Sequence, residues 1–117
     1  MQFVLLIYHG SFPLPGTPAN EKLSDAEKKQ IYAEYAAINQ ETSITTRLPP
    51  MAPGKATTVI VKDGKPQVTS SPYLKETLGG AFVLDAPNLE AAIAMAARIP
   101  QARLGGAVEI RAVEKYF

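Results

Sequence analysis

The chain of 117 residues has no cysteine and only one histidine, His9. Without cysteine, the protein has no disulfide framework, no thiolate nucleophile and no thiolate metal site. One histidine and scattered carboxylates do not make a metal-binding set either, so we expect neither a metal nor another cofactor. The formal net charge is only +1, which gives no field that would attract nucleic acid or an acidic membrane surface.

A long hydrophobic run is also absent. The apolar stretch at residues 3–8 is too short to span a membrane, and it lacks the basic flank and the cleavage site of a signal peptide. We therefore expect a cytoplasmic protein without membrane contact. The length, with 46% hydrophobic and 20% charged residues, fits a single globular domain over residues 1–117.

The pattern that is present predicts strands around a hairpin in the middle of the chain. The β-branched run at residues 57–62 leads into Asp63-Gly64, a pair that tolerates the positive φ angles of a type I′ turn. The unbroken apolar run at residues 3–8 is typical of a central strand covered on both faces. Three further segments are predicted to form strands: residues 44–48, 80–85 and 107–113. The first of them is expected to be an edge strand, because prolines follow it.

Two helices are predicted between these strands. Ser24 and Glu27 have the spacing of a capping box, which predicts a helix that begins there. Asn88 is a good N-cap for an alanine-rich helix that Pro100 ends. The proline-rich segment at residues 10–20 predicts a surface loop. The tyrosines on the helix and strand patterns are assigned to the core without a chemical role: Tyr8, Tyr32 and Tyr35.

The order strand, helix, hairpin, strand, helix, strand predicts an α+β fold, namely a ferredoxin-like split β-α-β antiparallel sheet with both helices on one face. The other face then has no partner within one chain. Four apolar side chains exceed what two helices can cover: Leu5, Ile7, Val59 and Val83. Because a large exposed apolar face usually marks an interface, we expect a homodimer.

The order of four segments resembles that of the YCII-related family, in particular its DGPF-type branch. These segments are the opening strand, the hairpin, Leu78-Gly79-Gly80 and the closing residues 98–111. The resemblance extends from Gln2 to about Val113 and implies a dimeric α/β barrel with ligand clefts between the sheet and the loops. Where the branch has Asp-Gly-Pro-Phe, this chain has Ser70-Ser71-Pro72-Tyr73. The aspartate that would supply an acid, a base or a metal ligand is therefore missing.

His9 is the candidate catalytic residue, because an imidazole with an ordinary pKa of roughly 6.5 suits proton transfer near neutral pH. It follows the predicted central strand and precedes the proline-rich loop. If its side chain faces a cleft, it can act as an acid or a base. The alternative is a structural histidine that is hydrogen-bonded to loop backbone. The histidine-aspartate pairs of other YCII-like enzymes lie elsewhere in their chains, so the resemblance gives His9 no inherited role.

Arg111 and Glu109 share the mixed face of the last predicted strand, and Arg47 and Arg103 are expected within reach of the same region. Arginine forks bind carboxylates and phosphates through paired hydrogen bonds, so Arg111, Glu109 and Arg47 are candidate ligand-binding residues. The alternative is an internal ion pair or a contact in the dimer interface.

Tyr73 is the last candidate ligand-binding residue. With Lys75 and Glu76, it lies in the loop that follows the hairpin. This loop can gate a cleft, with the Tyr73 hydroxyl as a hydrogen-bond donor; the alternative is again a contact between two copies of the chain.

Two functions stay open at this point. The first is a homodimeric protein that binds a small molecule or serves as an interaction module, which agrees with the association of the DGPF-type branch with extracytoplasmic sigma factors. The second is a cofactor-free acid-base enzyme, similar to lyases or dehalogenases, that acts on a small aromatic or carboxylated compound. In that enzyme His9 is the base and Arg111 holds the anion.

Overall fold

The computed structural model describes residues 1–48, 56–73 and 78–114. Its main sheet consists of β1 (Gln2–Tyr8), β2 (Ile44–Leu48), β5 (Leu78–Asp85) and β6 (Ala107–Ala112). The strand order is β2-β5-β1-β6 and every neighbouring pair is antiparallel. β5 thus lies between β1 and β2, which run parallel to each other, as in the split β-α-β arrangement. The predicted ferredoxin-like α+β fold is confirmed, with β1 in a central position and β2 at an edge.

Three α-helices accompany the sheet: α1 (Pro18–Glu21), α2 (Asp25–Asn39) and α3 (Leu89–Ala97). The predicted capping box at the start of α2 is confirmed, because Ser24 and Glu27 exchange two hydrogen bonds of 3.1 Å between side chain and backbone. The Asn88 side chain accepts a 2.9 Å hydrogen bond from the Ala91 N–H and so begins α3 as predicted. α1 is a single turn within the proline-rich loop. A short 3-10 helix, Pro100–Ala102, follows α3.

The hydrophobic core lies between the sheet and the two longer helices. Leu5 of β1 faces Phe82 of β5 and Ile110 of β6, and residues that oppose each other across antiparallel strands share one face. Ile38 of α2 and Met95 of α3 belong to the same buried cluster. Both helices therefore cover this face, as predicted.

The burial of β1 corrects one expectation about the uncovered face. Leu5 and Ile7 are almost fully buried by the helices of their own chain, so they need no second copy to cover them. The apolar side chains on the opposite face include those of Val4, Leu6 and Val83, which are half-buried. The unbroken apolar run of β1 thus serves two different faces, since successive residues of a strand point in opposite directions.

The predicted hairpin is confirmed as β3 (Thr58–Lys62) and β4 (Lys65–Thr69). Its turn residues Asp63 and Gly64 have φ angles of 53° and 74°, as a type I′ turn requires. The hairpin forms a separate two-stranded sheet, so β2, and not the hairpin, completes the split β-α-β unit. Val59 is accordingly exposed on the hairpin and does not belong to the main sheet.

None of the helices in the described part of the chain is long and apolar enough to cross a membrane.

Candidate functional site

His9 lies directly after β1, and only 5% of its surface is exposed. Its carbonyl accepts a 2.8 Å hydrogen bond from the Phe12 N–H, across a turn at Gly10, which has a φ of 54°. The imidazole is nearly parallel to the Phe12 ring, with 6.2 Å between the ring centroids. The backbone of His9 thus bonds the loop, whereas its ring is left for other partners.

A buried glutamine connects His9 to a tyrosine of α2. Gln101 is 3% exposed, and its Nε2 lies 3.4 Å from Nδ1 of His9. The Tyr35 hydroxyl donates a short hydrogen bond to Oε1 of the same amide. With the amide in this orientation, Gln101 donates to Nδ1, so the proton of the neutral imidazole is on Nε2. Burial lowers the pKa of His9 and raises that of Tyr35, which keeps both side chains uncharged at neutral pH.

Gly79 of β5 forms the surface on which the imidazole rests. The pairing of β1 with β5 shifts register between Ile7 and Tyr8, and Gly79 is the residue that the register skips. A Cβ atom at Gly79 would lie 2.6 Å from both ring nitrogens of His9 and even closer to Cε1. The bulge therefore brings bare backbone against the ring, an approach that any other residue would obstruct.

Two adjoining cavities lie between α2 and the sheet. The first, of about 160 Å³, is lined mainly by apolar groups from the loop and α2: His9, Phe12, Pro13, Leu14, Pro15, Asn20, Lys28, Ile31, Tyr32, Tyr35 and Gln101. The second, of about 460 Å³, is lined by Ile7, Tyr32, Tyr35, Asn39, Arg47, Leu48, Gly79 and Phe82. Because Tyr32 and Tyr35 line both cavities, we describe them together as the α2 cleft.

Two tyrosines therefore differ from the sequence-based assignment to the core. Tyr32 is 66% exposed at the mouth of the α2 cleft, so the prediction that it is a core residue is wrong. Tyr8 is half-buried on the face of the sheet that points away from the helices. Tyr35 is half-buried, as expected for the inner stripe of α2, but its hydroxyl belongs to the polar chain that ends at His9.

Arg47 lines the larger cavity from β2. Its Nη2 donates to the carbonyls of Ile38 and Glu41 at 3.1 and 2.8 Å, and its Nη1 donates to the Ile44 carbonyl at 3.3 Å. The guanidinium thus binds one carbonyl of the last turn of α2 and two carbonyls that follow the helix, which is a favourable place for a cation. Its Nε is buried without a hydrogen-bond partner in the described part of the chain.

The other predicted ligand-binding residues lie elsewhere. Arg111 and Glu109 form an exposed 2.8 Å ion pair on β6, on the face of the sheet that points away from the helices. This ion pair raises the pKa of Arg111. Arg103 pairs with Glu34 of α2. The structure does not bring Arg111 into the α2 cleft with His9 and Arg47.

Tyr73 is 75% exposed beyond the hairpin and is not among the described residues that line the cleft. Lys75 and Glu76 of the predicted gating loop lie outside the described residues.

The sequence analysis missed Gln101 and Gly79 as site residues. Neither has a local signal, since one is a polar residue in a short 3-10 helix and the other is part of a glycine pair at the start of a strand. Tyr35 had a usable signal. A tyrosine on the buried stripe of a helix needs a hydrogen-bond partner for its hydroxyl, which points to a second buried polar group nearby.

The ferredoxin-like sheet and the helix-covered cleft define the protein as a small α+β protein with a buried histidine site. A family model for the YCII-related domain matches residues 1–116. The chain therefore belongs to the YCII-related family. No curated protein matches the chain.

Proposed function

We propose that this YCII-related protein binds a small, mostly apolar molecule in the α2 cleft and recognises one polar group of that molecule through His9. The observation that carries the proposal is the state of the His9 ring. It is nearly buried, its Nδ1 is held by Gln101, and its Nε2 makes no hydrogen bond to any described residue.

His9 also lines the smaller cavity of the α2 cleft, so it borders the space that a ligand would occupy. A polar atom with a fixed direction in an apolar cavity is the usual means by which a pocket orients its ligand. With the proton on Nε2, His9 donates a hydrogen bond, and the matching ligand group is an acceptor such as a carbonyl oxygen.

The test uses the fact that His9 is the only histidine of the sequence. In a protein without an affinity tag, the imidazole gives a single set of NMR signals, which can be followed while small apolar compounds with carbonyl groups are screened. We expect ligands to shift the Hε1 and Nε2 signals of His9 and to lose most of their affinity in His9→Ala. The matched control is Tyr73→Ala, which removes an exposed side chain outside the cleft. Ligands that bind His9→Ala as tightly as the wild type would contradict the proposal.

A second candidate function, acid-base catalysis, has one specific observation in its favour. His9 is kept neutral by its lowered pKa, and its ring is oriented by the Tyr35–Gln101 chain. If the Gln101 amide is rotated by half a turn, its oxygen accepts from Nδ1, and Nε2 then has a free lone pair that can act as a base. For such an enzyme, we expect kcat to vanish in His9→Gln. The rate should also depend on a group that titrates below pH 6.5. A substrate that His9→Gln turns over at the wild-type rate would exclude this function.

We also propose that two copies associate through the face of the sheet that points away from the helices. Its half-buried Val4, Leu6 and Val83 support an interface there. Glu109 and Arg111 on the same face can pair between copies, because a twofold axis brings the same patch of both copies together. Sedimentation at micromolar concentration should give twice the chain mass of 12.6 kDa, and Leu6→Glu should give the single mass. A wild-type protein that sediments at 12.6 kDa would refute the dimer.

A further inference from the structure

The charged residues that the structure describes along the α2 cleft are all of one sign. Lys28 and Arg47 are its only charged lining residues in the described part of the chain, and both are cationic. No aspartate or glutamate of that part lines either cavity. Cations at a mostly apolar cleft without carboxylates favour a ligand that brings the negative charge itself, because removal of an unpaired charge from water is costly.

Arg47 differs from the other arginines in the partners of its guanidinium. Each of the others pairs with a carboxylate of the chain: Arg98 with Glu41, Arg103 with Glu34 and Arg111 with Glu109. Arg47 has only main-chain carbonyls as partners within the described residues, although it is half-buried. Among the arginines, Arg47 is therefore the one whose positive charge no carboxylate of the described residues balances.

The guanidinium of Arg47 also indicates the kind of anion. Its partners are neutral carbonyls, of which only that of Ile38 lies within α2. These carbonyls do not cancel the single positive charge, so a singly charged group matches it. A doubly charged phosphate would bring a second negative charge close to the same helix end, where anions are unfavourable. The cleft thus suits a carboxylate better than a phosphate.

Arg47 and His9 contact the cleft at separate points. Arg47 pairs with Phe82 in the β2–β5 register, and the His9 ring rests on Gly79, three residues away on the same strand. Arg47 accordingly lines the larger cavity and His9 the smaller one. Tyr32 and Tyr35 line both cavities.

We infer that the cleft selects an organic monoanion with an apolar body, that Arg47 binds its carboxylate in the larger cavity, and that His9 binds an acceptor in the smaller one. This inference rests on the proposed function, since it names the ligand class for the same cleft. A phenylpropanoate with an acetyl group at the para position has the required parts: a carboxylate, an aromatic body to lie against the tyrosines, and a carbonyl at the far end.

The test compares this phenylpropanoate with its primary amide, which has nearly the same shape but no charge. Both are titrated into the untagged protein, with Kd from calorimetry and the His9 imidazole signals from NMR. We expect both compounds to shift the His9 signals. We expect the carboxylate to bind at least about tenfold more tightly, as is usual when a hydrogen bond gains a charged partner.

Substitutions then assign the preference to one side chain. Arg47→Met should bring the ratio of the two Kd values close to one, and Arg47→Lys should keep part of it. Arg98→Met is the matched control. It removes the same charge from an arginine whose partner, Glu41, also follows α2, but Arg98 does not line the cleft. Arg98→Met should leave the ratio of the two Kd values unchanged. Lys28→Met should preserve most of the preference for the carboxylate.

Each outcome has one meaning. If both compounds shift the His9 signals and bind wild-type protein equally, Arg47 only caps α2 and the inference is wrong, while the proposed function stands. If neither compound moves the His9 signals, and the wider screen also finds none that does, the proposed function fails. Loss of the preference in Lys28→Met but not in Arg47→Met would overturn the role of Arg47. If Arg47→Met does not fold, as circular dichroism would reveal, a ratio in Arg47→Lys equal to that of the wild type would count against Arg47, and a reduced ratio would support it.

Discussion

Replacement of Gly79 by alanine tests the packing of the His9 ring on the backbone of β5. The new Cβ would lie 2.6 Å from Nδ1 and Nε2, whereas ordinary contacts begin at 3.4 Å. The ring must therefore retreat by about 1 Å. It has room to do so in the adjacent cavity of about 160 Å³, but its bond to Gln101 is already 3.4 Å long and would break. The position of Gly79 is not strained by a positive φ, so the effect comes from the side chain alone.

We expect Gly79→Ala to lower the free energy of unfolding by about 1–2 kcal/mol, from crowding and from the hydrogen bond that Gln101 loses. Urea denaturation measures this loss. An NMR titration of the single imidazole should also show the pKa of His9 moving back toward its ordinary value of 6.5, because the displaced ring is better hydrated.

A double-mutant cycle with His9→Ala isolates the contact. In the His9→Ala background the ring is gone, so Gly79→Ala should change stability by less than about 0.5 kcal/mol. The explanation would be refuted if Gly79→Ala cost as much in that background as in the wild type. It would also be refuted if the pKa of His9 stayed the same in Gly79→Ala.

Three further outcomes are expected. First, because the lowered pKa of His9 keeps the folded form neutral while the unfolded chain takes up a proton, the free energy of unfolding should fall as the pH drops through 6.5. Urea midpoints should lose this decrease in His9→Gln, and a wild-type curve that is flat in this range would contradict it. Second, Ser24→Ala should cost about 1 kcal/mol, since it removes the N-cap of α2. An unchanged thermal midpoint would argue against the cap. Third, Glu34→Gln should cost less than about 1 kcal/mol, because the ion pair with Arg103 is partly hydrated. A much larger loss in urea denaturation would mean that this pair is more important than its exposure indicates.

Membership of the YCII-related family and the α2 cleft together give a working view of this protein. The family match identifies the fold and leaves the chemistry open. The hydrogen bonds from Tyr35 through Gln101 to His9 orient the imidazole at the cleft. Arg47 adds a positive charge to the lining of the larger cavity. Ligand screening with a single histidine signal can therefore examine both features in one experiment.

The sequence by itself determined the features that depend on a few neighbouring residues. The Asp63-Gly64 turn follows from positive φ angles, and the helix start at Ser24 from one capping box. The faces of β6 follow from simple alternation. Such signals act over three or four residues, so they can be recognised without knowledge of the fold.

The tertiary structure alone decided the composition of the site. His9 and Gln101 are 92 positions apart, and they meet because the 3-10 helix after α3 packs against β6, which pairs with β1. A register shift between β1 and β5 places Gly79 against the imidazole, and no local sequence pattern predicts this shift. Likewise, the hairpin remains outside the main sheet and Arg111 lies away from the cleft. Strand order, register and side-chain burial depend on contacts across the whole chain, and these contacts exist only once it has folded.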